Sequence, residues 1–284
     1  MSTAPLPPIL DSVAGLAATT DAWLCDIWGV VHNGLAAHEG AVEALRTFRV
    51  AGGTVVLITN APRPYMDVAR QLDGMGVRPD AYDRILTSGD LTRDWMAEAK
   101  VPLYHLGPAK DRGVFTGLDL IFAKPEAAQL IVCTGLFDDD TETPETYRAE
   151  LTALAGRGVP MVCANPDITV ERGTRLLYCA GALAQLYETL GGAVRYAGKP
   201  HREVYDRALE LIAEVRGGRV DRARVLAIGD SLRTDIAGGH VNGLRTLFIA
   251  SAIHVPGPLD DAVLAGLFST AKVRPVAAMA GLKW

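Results

Sequence analysis

Four runs that read as strands in this chain end on, or lead into, residues that could bind metal and phosphate. The run Ala22-Trp-Leu-Cys-Asp26 ends in a carboxylate, and Thr54-Val-Val-Leu-Ile-Thr-Asn60 ends in a hydroxyl and an amide. Val194-Arg-Tyr-Ala-Gly198 leads into Lys199, and Val225-Leu-Ala-Ile-Gly-Asp230 ends in a second carboxylate with Asp235 five residues on. Gathered at one edge of a sheet, these groups supply hard oxygen ligands for Mg²⁺, polar contacts for phosphate oxygens, and an ammonium to offset charge. Asp26 is the candidate nucleophile, because a carboxylate can attack phosphorus to give an aspartyl-phosphate once the phosphoryl charge is neutralised. Mg²⁺ would bridge Asp26 and the transferring group, with Asp230 as the second carboxylate ligand. Asp235 would ligate directly, ligate through water, or orient Lys199. Lys199 would keep Asp26 ionised and stabilise charge on the equatorial oxygens. Thr59 and the amide of Asn60 would grip the phosphate. Taken singly, each residue has an ordinary explanation. An Asp after a strand commonly caps a helix or starts a turn, and a lone loop lysine is commonly solvated. The ordered set is what points to chemistry.

The elements that must position these residues read as alternating strands and helices. Strand 22–26, helix 39–51, strand 54–60, helix 64–75, strand 84–88 and helix 89–99 follow in order, after a Pro-rich lead-in with a short helix. Near-continuous apolar strands between amphipathic helices predict an α/β fold, with a parallel sheet covered on both faces. Such sheets bind ligands beyond the carboxyl ends of their strands. The pattern restarts near residue 100 with strands over VPLYHLG, AQLIVCTGL and VPMVCANPD, and with helices over 144–155 and about 180–190. After about 195 come helix 201–215, strand 224–230, helix 234–239, strand 245–250 and a final helix and short strand. The segments before 100 and after 195 would share one sheet, and the middle would be an inserted small α/β domain.

Bulk properties narrow the partners. The 284 residues are nearly half apolar, enough for a substantial core, and the formal charge of -5 comes with no Lys/Arg run, which disfavours a nucleic-acid partner. No apolar run is long enough to span a membrane, and the first residues lack a leader pattern, so a cytoplasmic location is expected. Cys25, Cys133, Cys163 and Cys179 form no C-x-x-C pair and read as buried thiols.

The ordered set resembles the haloacid-dehalogenase-like (HAD) hydrolase superfamily, in particular its class IIA branch of NagD-type, 4-nitrophenyl phosphate and pyridoxal phosphate phosphatases. Asp26-Ile-Trp-Gly-Val30 stands where the family has its nucleophile motif. Leu57-Ile-Thr-Asn60, Gly198-Lys-Pro-His201 and Gly229-Asp-Ser-Leu-Arg-Thr-Asp-Ile-Ala-Gly238 match the second, third and fourth motifs, and Ala164-Asn-Pro-Asp167 resembles a signature of the branch's inserted domain. The likeness runs from about residue 20 to 250. It implies a HAD-like Rossmann-type core over 1–99 and 195–284, and an inserted α/β class-two (C2) cap over 100–194. It also implies a Mg²⁺-dependent phosphatase acting on a small phosphorylated metabolite. Some members dimerise through the cap, so the resemblance extends to a homodimer. Substrate choice would lie in the cap, with the loop Asn165–Arg175, and Asn165 and Asp167 in it, as the candidate leaving-group contact. Asp138, Asp139 and Asp140 could bind a cation but read more simply as a solvated loop.

One position departs from the family. Its nucleophile motif reads Asp-x-Asp, and here the second Asp is Trp28. In the family that residue gives its main-chain carbonyl to Mg²⁺, a role Trp28 can keep, while its carboxyl group serves as general acid and then base. An indole N–H only donates and does not titrate usefully. His32, six residues past Asp26, is a candidate substitute acid with a suitable intrinsic pKa. The loop Val30–Leu35 could move as a flap on Gly29 and Gly34. Trp28 could pack beneath the cap or stack on a flat substrate. The sequence leaves these readings open. A phosphoric monoester hydrolase is the leading reading. The alternative is a phosphate- and metal-binding regulatory protein with weak or no turnover, with a phosphotransferase third. A nicotinamide-binding protein is disfavoured, because no G-x-G-x-x-G follows the first strand.

Overall fold

The computed structural model describes residues 5–172, 175–250 and 257–284. The first four residues of the lead-in, and residues 173–174 of the expected leaving-group loop, lie outside the described residues. In chain order the strands are β1 (Ala22–Asp26), β2 (Thr54–Thr59), β3 (Arg84–Thr87), β4 (Leu103–Leu106), β5 (Leu130–Cys133) and β6 (Met161–Cys163). They continue with β7 (Thr169–Arg172), β8 (Arg175–Tyr178), β9 (Val194–Tyr196), β10 (Val225–Gly229), β11 (Arg245–Ile249) and β12 (Ala277–Met279). The chain divides into two compact units, one of Met1–Thr59, Val68–Leu86 and Tyr205–Trp284, the other of Asn60–Asp67 and Thr87–Val204.

The first unit is organised by a six-stranded sheet in the order β12-β11-β10-β1-β2-β3. Every residue of β1, β2 and β10 is buried, which is why these strands are continuously apolar rather than alternating. β1 lies parallel between β10 and β2, with Cys25 opposite Ile228 and Asp26 opposite Ile58. The carboxyl ends of three adjacent central strands therefore lie side by side, and they carry Asp26, Thr59 and, just past Gly229, Asp230. Trp23 stacks on Phe48 of the helix Glu39–Val50 at 3.9 Å between ring centroids, and its indole N–H donates to the Thr20 hydroxyl at 3.1 Å. That buried indole is thus fully satisfied.

The second unit contains a four-stranded parallel sheet in the order β4-β5-β6-β9. Its core packs strand residues such as Ile131 and Met161 against Leu151, Leu154, Leu183 and Tyr187 of the helices Arg148–Gly156 and Ala180–Thr189. The expected helix 144–155 begins as a 3₁₀ turn over Pro144–Tyr147 before it becomes α-helical. Two expectations change here. β9 pairs with β6 and joins this sheet, not the six-stranded one, so Lys199 follows a strand of the second unit. Three residues of mixed exposure carry no pattern that could have assigned that strand. The segment read as a loop over Asn165–Arg175 instead enters an antiparallel hairpin of β7 and β8, with Thr169 opposite Tyr178. In β8, Leu177 is buried while Leu176 and Tyr178 are exposed, an alternation too short to show in the sequence. Among the described residues no helix is long and apolar enough to cross a membrane, and all four cysteines are buried and outside any disulfide.

Candidate functional site

Asp26, Asp230 and Asp235 converge in the first unit. Each is at most 6% exposed, and each offers a carboxylate oxygen within 4.8 Å of the others. The turn after β10 makes this approach possible. Leu232–Ile236 forms a wide π-type turn in which the Ile236 N–H donates to the Ser231 carbonyl at 3.1 Å, where the sequence suggested a plain helix over 234–239. Asp235 accepts from the Ser231 N–H at 3.2 Å, which orients its carboxylate. Two glycines leave room for the acids. A Cβ on Gly29, whose φ is +83°, would lie 1.9 Å from Asp230 Oδ2, and one on Gly229 would lie 2.1 Å from Asp235 Cγ. The main chain at Trp28–Gly29 therefore runs against the Asp230 carboxylate. Three buried, hard, anionic oxygen donors this close fit a divalent cation such as Mg²⁺.

The loop after Asp26 is held by its own side chains. His32 is 3% exposed, its Nδ1 accepts from the Gly34 N–H at 2.9 Å, and its ring meets Trp28 edge to face at 5.2 Å between centroids. A Cβ on Gly34 (φ +88°) would lie 2.4 Å from the Trp28 ring. The expected flap is thus a packed turn in this structure, and one nitrogen of the candidate acid His32 already serves it. Trp28 Nε1–H is buried with no hydrogen-bond partner among the described residues, in contrast to Trp23. An unmet buried donor costs about 1–3 kcal/mol. Trp28→Phe is therefore expected to hold or raise the melting temperature despite its smaller ring. A clear fall in thermal unfolding would contradict this account of the indole.

In the second unit Asn60, Lys199 and Asp167 are brought together. Asn60 is 4% and Lys199 3% exposed. Asn60 Oδ1 accepts from the Lys199 N–H at 2.8 Å and from Ser88 Oγ at 3.4 Å. Its Nδ2 donates to the Lys199 carbonyl at 3.1 Å and to Asp167 Oδ1 at 3.0 Å. Asn165 Oδ1 accepts from the Asp167 N–H at 3.0 Å and so shapes the turn that presents Asp167. Ser88, which starts the helix Ser88–Glu98, had no signal in the sequence reading. That helix is fixed by a capping box between Thr87 and Asp90. Gly198, with φ +142°, has no room for a Cβ between Ser88 Oγ and Asn60 Oδ1.

Other polar groups of this unit behave differently. Asp138, Asp139 and Asp140 also lie within reach of one cation, but two are exposed, and the loop bonds itself through Thr141 and pairs with Lys110 and Arg175. This is the solvated loop the sequence suggested. Asp111 is buried, and desolvation pushes its carboxyl up to about 6. A carboxyl whose folded pKa lies above its unfolded value disfavours the folded state as pH rises from about 4 to 6, by up to about 3 kcal/mol. Asp111→Asn is expected to gain stability over wild type across that window and to keep the gain at pH 7. Urea unfolding at pH 4 and pH 7 checks this, and an equal difference at both would contradict it.

Residues 23–121 match the family described as haloacid dehalogenase-like hydrolase, and residues 196–271 match a HAD-hydrolase-like family. A haloacid dehalogenase-like hydrolase of known structure from Brucella suis 1330 is 46% identical, with a TM-score of 0.82 over 86% of this chain and 94% of that one. The 5'-nucleotidase YutF of Bacillus subtilis is 25% identical over 83% of this chain and 89% of its own. The ribonucleotide monophosphatase NagD of Escherichia coli K12 is 26% identical over 84% and 89%.

Proposed function

The chain belongs to the haloacid dehalogenase-like hydrolase family, and on that premise we propose that it is a Mg²⁺-dependent phosphoric monoester hydrolase acting on a small phosphorylated metabolite through an aspartyl-phosphate on Asp26. The observation that carries this reading is the trio of buried carboxylates at the ends of β1 and β10. The relatives named as a nucleotidase and a monophosphatase support the substrate class.

Asp26, Asp230, Asp235 and the Trp28 main-chain carbonyl would hold Mg²⁺, which when bound offsets charge on the transferring phosphoryl group. Asp26 attacks phosphorus, the ester P–O bond breaks, and the leaving oxygen departs. The Thr59 hydroxyl and the Asn60 main-chain N–H bind phosphoryl oxygens, and the Lys199 ammonium balances their charge. Water then cleaves the acyl-phosphate and restores Asp26. Trp28 can neither protonate the leaving oxygen nor activate that water, and His32 is the buried imidazole of the same loop. This favours an ester whose leaving group departs with little help, such as an aryl phosphate. The unit with the four-stranded sheet corresponds to the inserted cap of the family, with Asn165 and Asp167 as its leaving-group side. A cytoplasmic homodimer is part of the same reading.

Trp28 also supports a second reading, a phosphate- and metal-binding regulatory protein with weak or no turnover. A phosphate-ester screen with Mg²⁺ separates the two. Wild type is expected to hydrolyse at least one monoester class, EDTA to remove that activity, and Asp26→Asn to lower it at least about 10³-fold. If no ester turns over while Mg²⁺ and inorganic phosphate still bind together, the regulatory reading replaces the enzyme.

A further inference from the structure

We propose that the Asn60 carboxamide is a positioning residue for Lys199 and not a phosphate ligand, with Asp167 as the group that locks its orientation. The inference rests on the reading of Lys199 as part of the phosphoryl site.

An asparagine side chain has two N–H donors and one oxygen with two acceptor sites. In Asn60 all four are used, by Lys199 N–H and Ser88 Oγ at the oxygen and by Lys199 C=O and Asp167 Oδ1 at the nitrogen. No donor is left for a phosphoryl oxygen. An incoming anion would have to displace Asp167 or the Lys199 carbonyl from the amide nitrogen and break a hydrogen bond already made there.

What the carboxamide does instead follows from where the strand ends. β9 stops at Tyr196, and the Ala197 N–H still donates to the Cys163 carbonyl at 2.9 Å. Gly198 then turns away with a φ that only glycine tolerates readily. Past that turn Asn60 takes the place of a neighbouring strand: it grips both the N–H and the C=O of Lys199 and so fixes the Cα–Cβ direction from which the ammonium extends. The grip works only with Oδ1 facing the Lys199 N–H. Asp167 selects that orientation, because an ionised carboxylate only accepts and the amide nitrogen must face it.

The test compares wild type, Asn60→Ala, Lys199→Ala and the double variant on an aryl phosphate with Mg²⁺, together with hydrogen exchange at the Lys199 amide. If Asn60 acts through Lys199, Asn60→Ala lowers kcat by about 10²-fold. The double variant then stays within about threefold of Lys199→Ala, since two steps on one path do not multiply. Losses that multiply would overturn the proposal and return Asn60 to direct phosphate contact. The Lys199 amide is expected to lose protection in Asn60→Ala and, to a smaller degree, in Asp167→Ala. Unchanged protection in Asn60→Ala overturns the proposal even if wild type proves to hydrolyse no ester, and that second result would separately end the catalytic reading of Lys199. Should Asn60→Ala fail to fold, Asn60→Leu removes the acceptor and both donors at similar volume, and the same non-additivity and loss of protection are expected of it.

Discussion

Trp28→Asp is expected to raise kcat on alkyl phosphate monoesters by about 10²–10⁴-fold, the usual worth of a positioned general acid–base. The gain on aryl phosphates should be much smaller. A phenolate, with a conjugate acid near pKa 10 ~ that of tyrosine, departs nearly unaided, while an alkoxide needs its proton as the bond breaks. The ratio of the two gains therefore reports the missing carboxyl itself. The main chain of this segment runs against Asp230 and turns at Gly29, so a new carboxylate at position 28 would start from a fixed backbone beside the carboxylate trio. The exchange also removes the ring that packs against His32 and Gly34, which costs some stability. Rates are therefore compared at a temperature where both proteins are folded. Steady-state kinetics on a matched alkyl and aryl pair checks the prediction. Equal gains on both, or none, would show that protonation does not limit turnover.

Mg²⁺ is expected to raise the melting temperature of wild type, and Asp230→Asn to abolish most of that increment. Like charges packed within 4.8 Å repel unless a cation lies among them. A ligand bound only by the folded state stabilises it by RT ln(1 + [L]/Kd), about 2.7 kcal/mol at a hundredfold excess over Kd. With one of three carboxylates replaced by an amide, affinity drops and the increment goes with it. Thermal unfolding with and without Mg²⁺, for both proteins, reads this directly. An equal Mg²⁺ response in Asp230→Asn would move the ion away from these three residues.

Much of the first unit was legible in the sequence because its strands are long apolar runs closed by punctuation. Ala22–Asp26 ends on an acid, Val225–Gly229 runs directly into Asp230, and Thr54–Thr59 ends on a hydroxyl, so both the sheet and its useful edge could be read together. The parts that were not legible depend on short or distant contacts. The strands of the hairpin β7 and β8 are four residues each, below the length at which a period registers, and the run at β9 reads as a strand but carries nothing that assigns it to the second sheet. The saturation of Asn60 rests on Ser88, Asp167 and Lys199, which lie 28, 107 and 139 residues away, and no local spacing encodes such a meeting. Trp28 was visible as a departure, but the isolation of its indole N–H depends on how residues 29–34 fold back over it.

In the proposed reaction Asp26 accepts the phosphoryl group. Wild type and Asp26→Asn would be mixed with excess aryl phosphate and Mg²⁺, quenched in acid within the first turnover, and mapped by peptide mass spectrometry. A phosphorylated Asp26 in wild type, absent from Asp26→Asn and lost as turnover completes, is the predicted result. Steady turnover with no phosphate ever found on Asp26, or phosphate carried by another residue, would contradict it.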